Sequence, residues 1–169
     1  LLNRNKTFGQ KFCFDLVEKP GNKERVCLPH PQIFQSVNKG DKLLVDDGKI
    51  ALEALKVTDE KIECTVLNGG IISDKKGVNC PDSILKLAPL TEKDKIDLDF
   101  VCGLGVDWIG LSFVQRAKDL HDVKKLLNGR AGIIAKIEKP AAVKVFNSII
   151  DVSDGIMVAR GDLGVELPI

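Results

Sequence analysis

The sequence has no apolar run approaching the roughly 20 residues that span a bilayer. No cationic, apolar, small-residue signal segment opens it. No membrane partner and a cytoplasmic setting are therefore expected. It also lacks an excess of either charge: 25 basic residues stand against 24 acidic ones, which argues against a broad electrostatic footprint for nucleic acid or an anionic membrane. No basic stripe is interleaved with aromatics, and there is neither a P-loop nor a GxGxxG opening a helix. Cys13, Cys27, Cys64, Cys80 and Cys102 are odd in number and form no CxxC pair. That pattern favours reduced thiols over a disulfide framework or a zinc site. His30 and His121 stand alone without ligand-like spacing. Internal repeats and low-complexity segments are missing too.

The 169 residues present are enough for one or two small domains with a real core. Up to about Ala88 the texture is β. Phe12, Phe14 and Leu16 alternate with Lys11, Cys13 and Asp15, as in a half-buried strand. Lys19-Pro20-Gly21-Asn22 reads as a turn, and Pro29-His30-Pro31 breaks the chain again. Leu43–Val45 and Ile50–Val57 flank Asp46-Asp47-Gly48-Lys49, a strong hairpin signal. Lys61–Leu67 alternates once more and stops at Asn68-Gly69-Gly70. Short strands at this spacing predict a small β-barrel or sandwich. Ser73-Asp74-Lys75-Lys76-Gly77 reads on its own as a solvated turn.

Near Leu87–Leu90 the texture changes to alternating helix and strand, which sets the expected domains at 1–88 and 89–169. Thr91 with Asp94 three residues on approximates a capping box, and Ile96, Phe100 and Val101 are the expected apolar stripe of the helix that follows. Gly103 and Gly105 end it. Val106–Val114 reads as a strand. Ala117–Leu127 reads as an amphipathic helix with Leu120, Val123, Leu126 and Leu127 on one side, stopped by Asn128-Gly129.

The chain is organised around Ala131 to Leu163. Two short apolar strands end in charge, the first at Lys136-Ile137-Glu138 and the second at Arg160-Gly161-Asp162. Residues two apart on a strand share a face, so Lys136 and Glu138 line one pocket. Pro140 suits the first position of a helix expected to run to Ile150. Strand, helix and strand imply parallel neighbours, with both charged clusters at carboxyl ends where α/β folds keep their active sites. Two carboxylates can hold a hard divalent cation. A lysine adds positive charge, and Gly161 offers a close backbone N–H. An enolate and a transferring phosphoryl group both fit such a site. So does a plain structural ion pair.

AKIEKP followed by SDGIMVARGDLGVELP closely resembles the magnesium and phosphoenolpyruvate site of the pyruvate kinase family. The likeness continues upstream, in the family's order, through VDDGKI, NGGIISDKKGVNCP, LTEKD and GVDWIGLSFVQ. The resemblance implies an α/β fold: the middle of a TIM (β/α)8 barrel, its fourth to sixth strands, with a small all-β barrel inserted before them as a lid domain. It implies phosphoryl transfer from phosphoenolpyruvate to ADP, giving pyruvate and ATP. By the same likeness Glu138 and Asp162 bind Mg2+ or Mn2+, Lys136 is catalytic, and Lys136, Gly161 and Asp162 bind substrate. Lys76, in the position of the family's KKGVN lysine, contacts the nucleotide phosphates. Asp47, Ser112 and Arg160 lie near the site, Arg160 either orienting a neighbouring carboxylate such as Glu138 through a bidentate pair or forming a purely structural salt bridge. Cys80 departs mildly from the usual apolar residue and is expected to pack.

The family's phosphate-clamping arginine, its potassium ligands and a later substrate-binding threonine have no counterpart here. The resemblance therefore implies a piece of a longer, homotetrameric enzyme, with K+ bound elsewhere and negligible turnover by this segment alone. A magnesium-enolate aldolase or lyase, and a fragment without catalysis, stay open as alternatives.

Overall fold

The computed structural model describes residues 5–86 and 88–167. The chain divides into two compact units, one ending at Lys86 and joined by the stretch from Val165, the other running to Gly164.

The first unit is β-rich. Its elements are β1 (Asn5–Lys6), β2 (Lys11–Asp15), β3 (Arg25–Cys27), the short α1 (Pro31–Phe34), β4 (Lys42–Val45), β5 (Ile50–Val57), β6 (Lys61–Asn68), β7 (Gly70–Ile71) and β8 (Val78–Asn79). Six strands form one sheet in the order β3-β2-β6-β5-β4-β8, and β1 pairs with β7. All these pairings are antiparallel except β2 with β3. The period-two patterns set the faces: β2 buries Phe12 and Phe14, while β6 buries Ile62, Cys64 and Val66. The two phenylalanine rings meet edge to face at 5.4 Å. Val45 pairs with Ile50, so Asp46 to Lys49 form the hairpin loop. Asp46, Asp47 and Gly48 all take positive φ, a conformation that glycine adopts freely and aspartate tolerates.

The second unit is α/β. It comprises α2 (Glu92–Gly103), β9 (Trp108–Leu111), α3 (Ala117–Leu127), β10 (Gly132–Ile137), α4 (Pro140–Lys144), α5 (Phe146–Ile150), β11 (Gly155–Val158) and all of α6 (Arg160–Glu166) but its last two residues, which count with the first unit. The strands are parallel in the order β11-β10-β9. Thr91 and Asp94 form a reciprocal capping box at α2. The middle strand buries Ile133, Ala135 and Ile137 against Leu120, Val123 and Leu127 of α3 and Ile149 of α5.

Several expectations are corrected here. The strand expected over Val106–Val114 is confined to Trp108–Leu111, because Phe113 turns into left-handed backbone at φ 54°. The helix expected from Pro140 to Ile150 is two short helices. Val145 leaves the helical basin at φ −119°, ψ 26°, and both halves bury a residue, Ala142 and Ile149. On α2 the buried stripe is Leu98 and Cys102, four residues apart. Ile96 and Phe100 lie on another face, 71% and 69% exposed. Leu126 is also exposed, whereas Leu120, Val123 and Leu127 of α3 are buried. Arg160, Gly161 and Asp162 do not end a strand; β11 stops at Val158 and these residues open α6.

Candidate active site

The α/β unit gathers its chemistry at the carboxyl end of β10. Lys136 lies on the strand, in register with Met157 of β11, and Glu138 follows its last residue. Alternation puts both side chains on one face, and their ion pair closes at 2.8 Å from Lys136 Nζ to Glu138 Oε1. The same ammonium donates to Ser112 Oγ at 2.8 Å, just past the end of β9. Glu138 is 2% exposed. A buried carboxylate is costly unless its lone pairs are met. Here Lys136 meets one oxygen, and the backbone N–H of Phe113 donates to the other at 2.8 Å. The lysine is therefore fixed in direction by two oxygens from neighbouring strand ends while its side chain remains 28% exposed.

Phe113 was not anticipated from the sequence. Its contribution is a backbone donor aimed by a left-handed turn, so residue type carries no signal of it. Gly161 and Asp162 lie in the first turn of α6 and are exposed. Arg160 is exposed as well, and among the described residues it has no ion-pair partner. The expected Arg160–Glu138 pair is thus replaced by the Lys136–Glu138 pair, since alternation brings the lysine to that carboxylate first.

In the β unit, Lys76 Nζ pairs with Asp46 Oδ1 at 2.9 Å, and Lys49 Nζ reaches Asp46 Oδ2 at 3.2 Å. The backbone N–H of Asp46 donates to Gly77 O at 3.2 Å, tying the hairpin loop to the lysine loop. Bonding to Lys76, then Lys49, lowers the Asp46 pKa, and bonding to Asp46 raises that of Lys76. Asp47, the residue singled out from the sequence, is exposed beside this pair. Cys80 is buried in the core of this unit.

Among the described residues no group of three or more His, Cys, Asp and Glu side chains gathers as a metal cage. Glu138 and Asp162 offer carboxylate oxygens. That donor type fits magnesium, which commonly takes one or two protein carboxylates and completes its shell with substrate oxygens and water. A cation at Glu138 would share that carboxylate with the Lys136 ammonium.

A lysine–carboxylate pair at the carboxyl end of a parallel strand lies where enzymes of the α/β class carry their active sites. Comparison with known proteins narrows the class. The family described as pyruvate kinase, barrel domain, matches residues 6–169. A pyruvate kinase of Agrobacterium vitis is 55% identical over 141 residues, covering 83% of this chain and 30% of that protein. One from Methylorubrum extorquens is 47% identical, covering 95% of this chain and 34% of that protein. One from Geobacillus stearothermophilus is 42% identical, with 95% and 28% covered. This chain belongs to the pyruvate kinase family, and it spans about a third of the length of the curated relatives it matches.

Proposed function

We propose that this chain carries part of the machinery for phosphoryl transfer from phosphoenolpyruvate to ADP, yielding pyruvate and ATP. The observation that carries the reading is the Lys136 ammonium, fixed between Ser112 Oγ and Glu138 Oε1 in a chain of this family. Lys136 presents its charge to the transferring phosphoryl group and to the enolate oxygen left behind. The enolate oxygen gains negative charge as its bond to phosphorus breaks, and the phosphoryl oxygens keep theirs in transit, so a cation fixed between them favours the transition state over the bound substrate. Glu138 and Asp162 would hold the magnesium, which when bound neutralises charge on the substrate oxygens. The backbone N–H groups of Gly161 and Asp162 would receive the substrate carboxylate. Ser112 and the Phe113 N–H act as positioning groups, the first on Lys136 and the second on Glu138. Lys76 would meet the nucleotide phosphates, with Asp46 holding it until they arrive. Asp47 and Arg160 are assigned to the surroundings of these groups.

The domain reading belongs to the same proposal: residues 1–88 as a lid domain of small β-barrel type, residues 89–169 as the middle of a (β/α)8 barrel. So do K+ as a second cation, held by residues outside this chain, a tetrameric parent enzyme and a cytoplasmic setting. Among the described residues no helix is long and apolar enough to cross a membrane.

The test is pyruvate formation with Lys136→Met, made in the full-length context. Turnover should fall by orders of magnitude, about 10²-fold or more, with the fold unchanged. Unaltered turnover would remove Lys136 from the reaction. In parallel, manganese binding followed by its electron spin resonance should weaken in Glu138→Gln and in Asp162→Asn; an unchanged titration would reject those ligands.

A further inference from the structure

The β unit contains a cavity of about 470 Å³, and of its lining the phosphoryl-transfer reading uses Lys76 alone. The volume falls within the roughly 300–1,000 Å³ of small-molecule sites. Its inner wall is apolar, with Phe12, Phe14 and Ile72 among the lining residues, all buried. Its charged lining is one-sided: Lys6, Lys19, Lys75 and Lys76 stand against Asp74. Lys76 is committed to Asp46. Among the described residues the other three lysines have no carboxylate partner.

Lys6 is the telling group. It is 2% exposed, and lysines are almost never buried to that degree unless paired. Its ammonium donates to the carbonyls of Lys23 at 2.8 Å and Asn22 at 3.4 Å and lies 4.3 Å from the centre of the Phe12 ring. These are dipoles and a π face, which satisfy hydrogen bonds without neutralising the charge. Burial, followed by the charge of Lys23, lowers its pKa. A buried cation that has no anion among the described residues, beside an apolar wall, is the arrangement an organic anion would complete.

The wall is also built in advance. Arg25 donates through Nε to Asp15 Oδ2 at 2.8 Å and through Nη1 to Lys19 O at 2.9 Å, holding the segment that carries Lys19. Asn22 Oδ1 accepts from the N–H groups of Glu24 at 2.8 Å and Arg25 at 2.9 Å. Gln10 Nε2 joins Lys6 on Lys23 O at 2.9 Å. A loop fixed this way loses little freedom when a ligand arrives.

We propose that this cavity binds a small organic anion, its apolar body against Phe12, Phe14 and Ile72 and its carboxylate or phosphate head against Lys6, Lys19 and Lys75. The site lies wholly within the β unit and is independent of Lys136 and Glu138.

The probes are phenyl phosphate and benzoate, with inorganic phosphate and benzyl alcohol as the head and the body alone, added to the full chain and followed by amide chemical shifts. At least one of the two anions should produce saturable shifts at Phe14, Val26 and Ile72. Inorganic phosphate and benzyl alcohol should each bind about tenfold or more weakly, since either lacks one of the two contacts. Preference for phenyl phosphate or for benzoate supports the site equally and identifies its head group. The double variant Lys19→Glu, Lys75→Glu changes two exposed side chains, keeps the fold, and should weaken the anion by a further tenfold or more. The proposal is overturned if millimolar anion shifts none of these amides, if benzyl alcohol or inorganic phosphate binds as well, or if the double variant binds as the parent does.

Discussion

The β unit and the α/β unit bury their strands to different degrees. In the first, the long pair β5 and β6 leaves Leu52, Ala54, Ile62, Cys64 and Val66 with no accessible surface. In the second, only the middle strand β10 is comparably covered. Its neighbours β9 and β11 each have one strand partner among the described residues and leave Trp108, Met157 and Val158 about half exposed. The difference follows from how the strands are joined. Hairpins bring antiparallel partners from adjacent sequence, whereas parallel strands need crossovers and cover on both faces. The candidate catalytic lysine lies on the one strand of the α/β unit with a neighbour on each side. A site that must hold an ammonium within tenths of an ångström gains from that support.

The comparison breaks if the two units melt as one. Leu52→Ala and Leu120→Ala remove fully buried side chains from the β and α/β cores, and each should cost about 3 kcal/mol. Native-state hydrogen exchange should then loosen β5 and β6 amides in the first variant while sparing β10, and do the reverse in the second. Equal loosening of both sets by either variant would make the chain one cooperative unit.

A smaller effect sharpens the contrast within the β unit. Asp15 and Arg25 form a bidentate pair between the parallel strands β2 and β3, and that pairing holds the Asp15 carboxyl below the usual carboxylate range. A lowered folded-state pKa means stability that is fully present above the unfolded value of about 4 and is lost as pH falls through the folded value. Asp15→Asn should therefore cost about 1 kcal/mol at pH 7 by urea titration, a hydrogen-bonding contribution discounted for partial exposure. The gap between variant and parent should shrink as pH drops below about 4. A gap unchanged at pH 3 would show that the carboxylate charge does not act through Arg25.

What was legible in the sequence followed local chemistry. The Thr91–Asp94 box, the Asp46–Lys49 hairpin loop and the period-two strands Lys11–Asp15 and Lys61–Asn68 each rest on residues near one another in sequence. The Lys136–Glu138 pair was legible for the same reason, because strand alternation decides it. What escaped depends on tertiary context. Phe113 reaches Glu138 through a backbone N–H, and nothing in a phenylalanine announces a left-handed turn. Asp46 rather than Asp47 takes Lys76, a choice between adjacent identical residues that only the loop's twist makes. The break at Val145 leaves both flanking stretches helical in composition and lets each turn a residue into the core.

The smallest expected effect tests the face of α2. Hydrophobicity alone marks Ile96 and Phe100 as its buried stripe, yet they stand exposed while Leu98 and Cys102 face the core. Ile96→Ser should shift the stability of this chain by no more than about 0.5 kcal/mol, as substitutions of exposed residues do. Leu98→Ala should cost several times more by the same urea titration, since it opens a cavity in the core. Were Ile96→Ser to cost as much as Leu98→Ala, the helix would be rotated about its axis. Its apolar stripe would then follow the period of the hydrophobic residues rather than the positions facing Leu120 and Leu127.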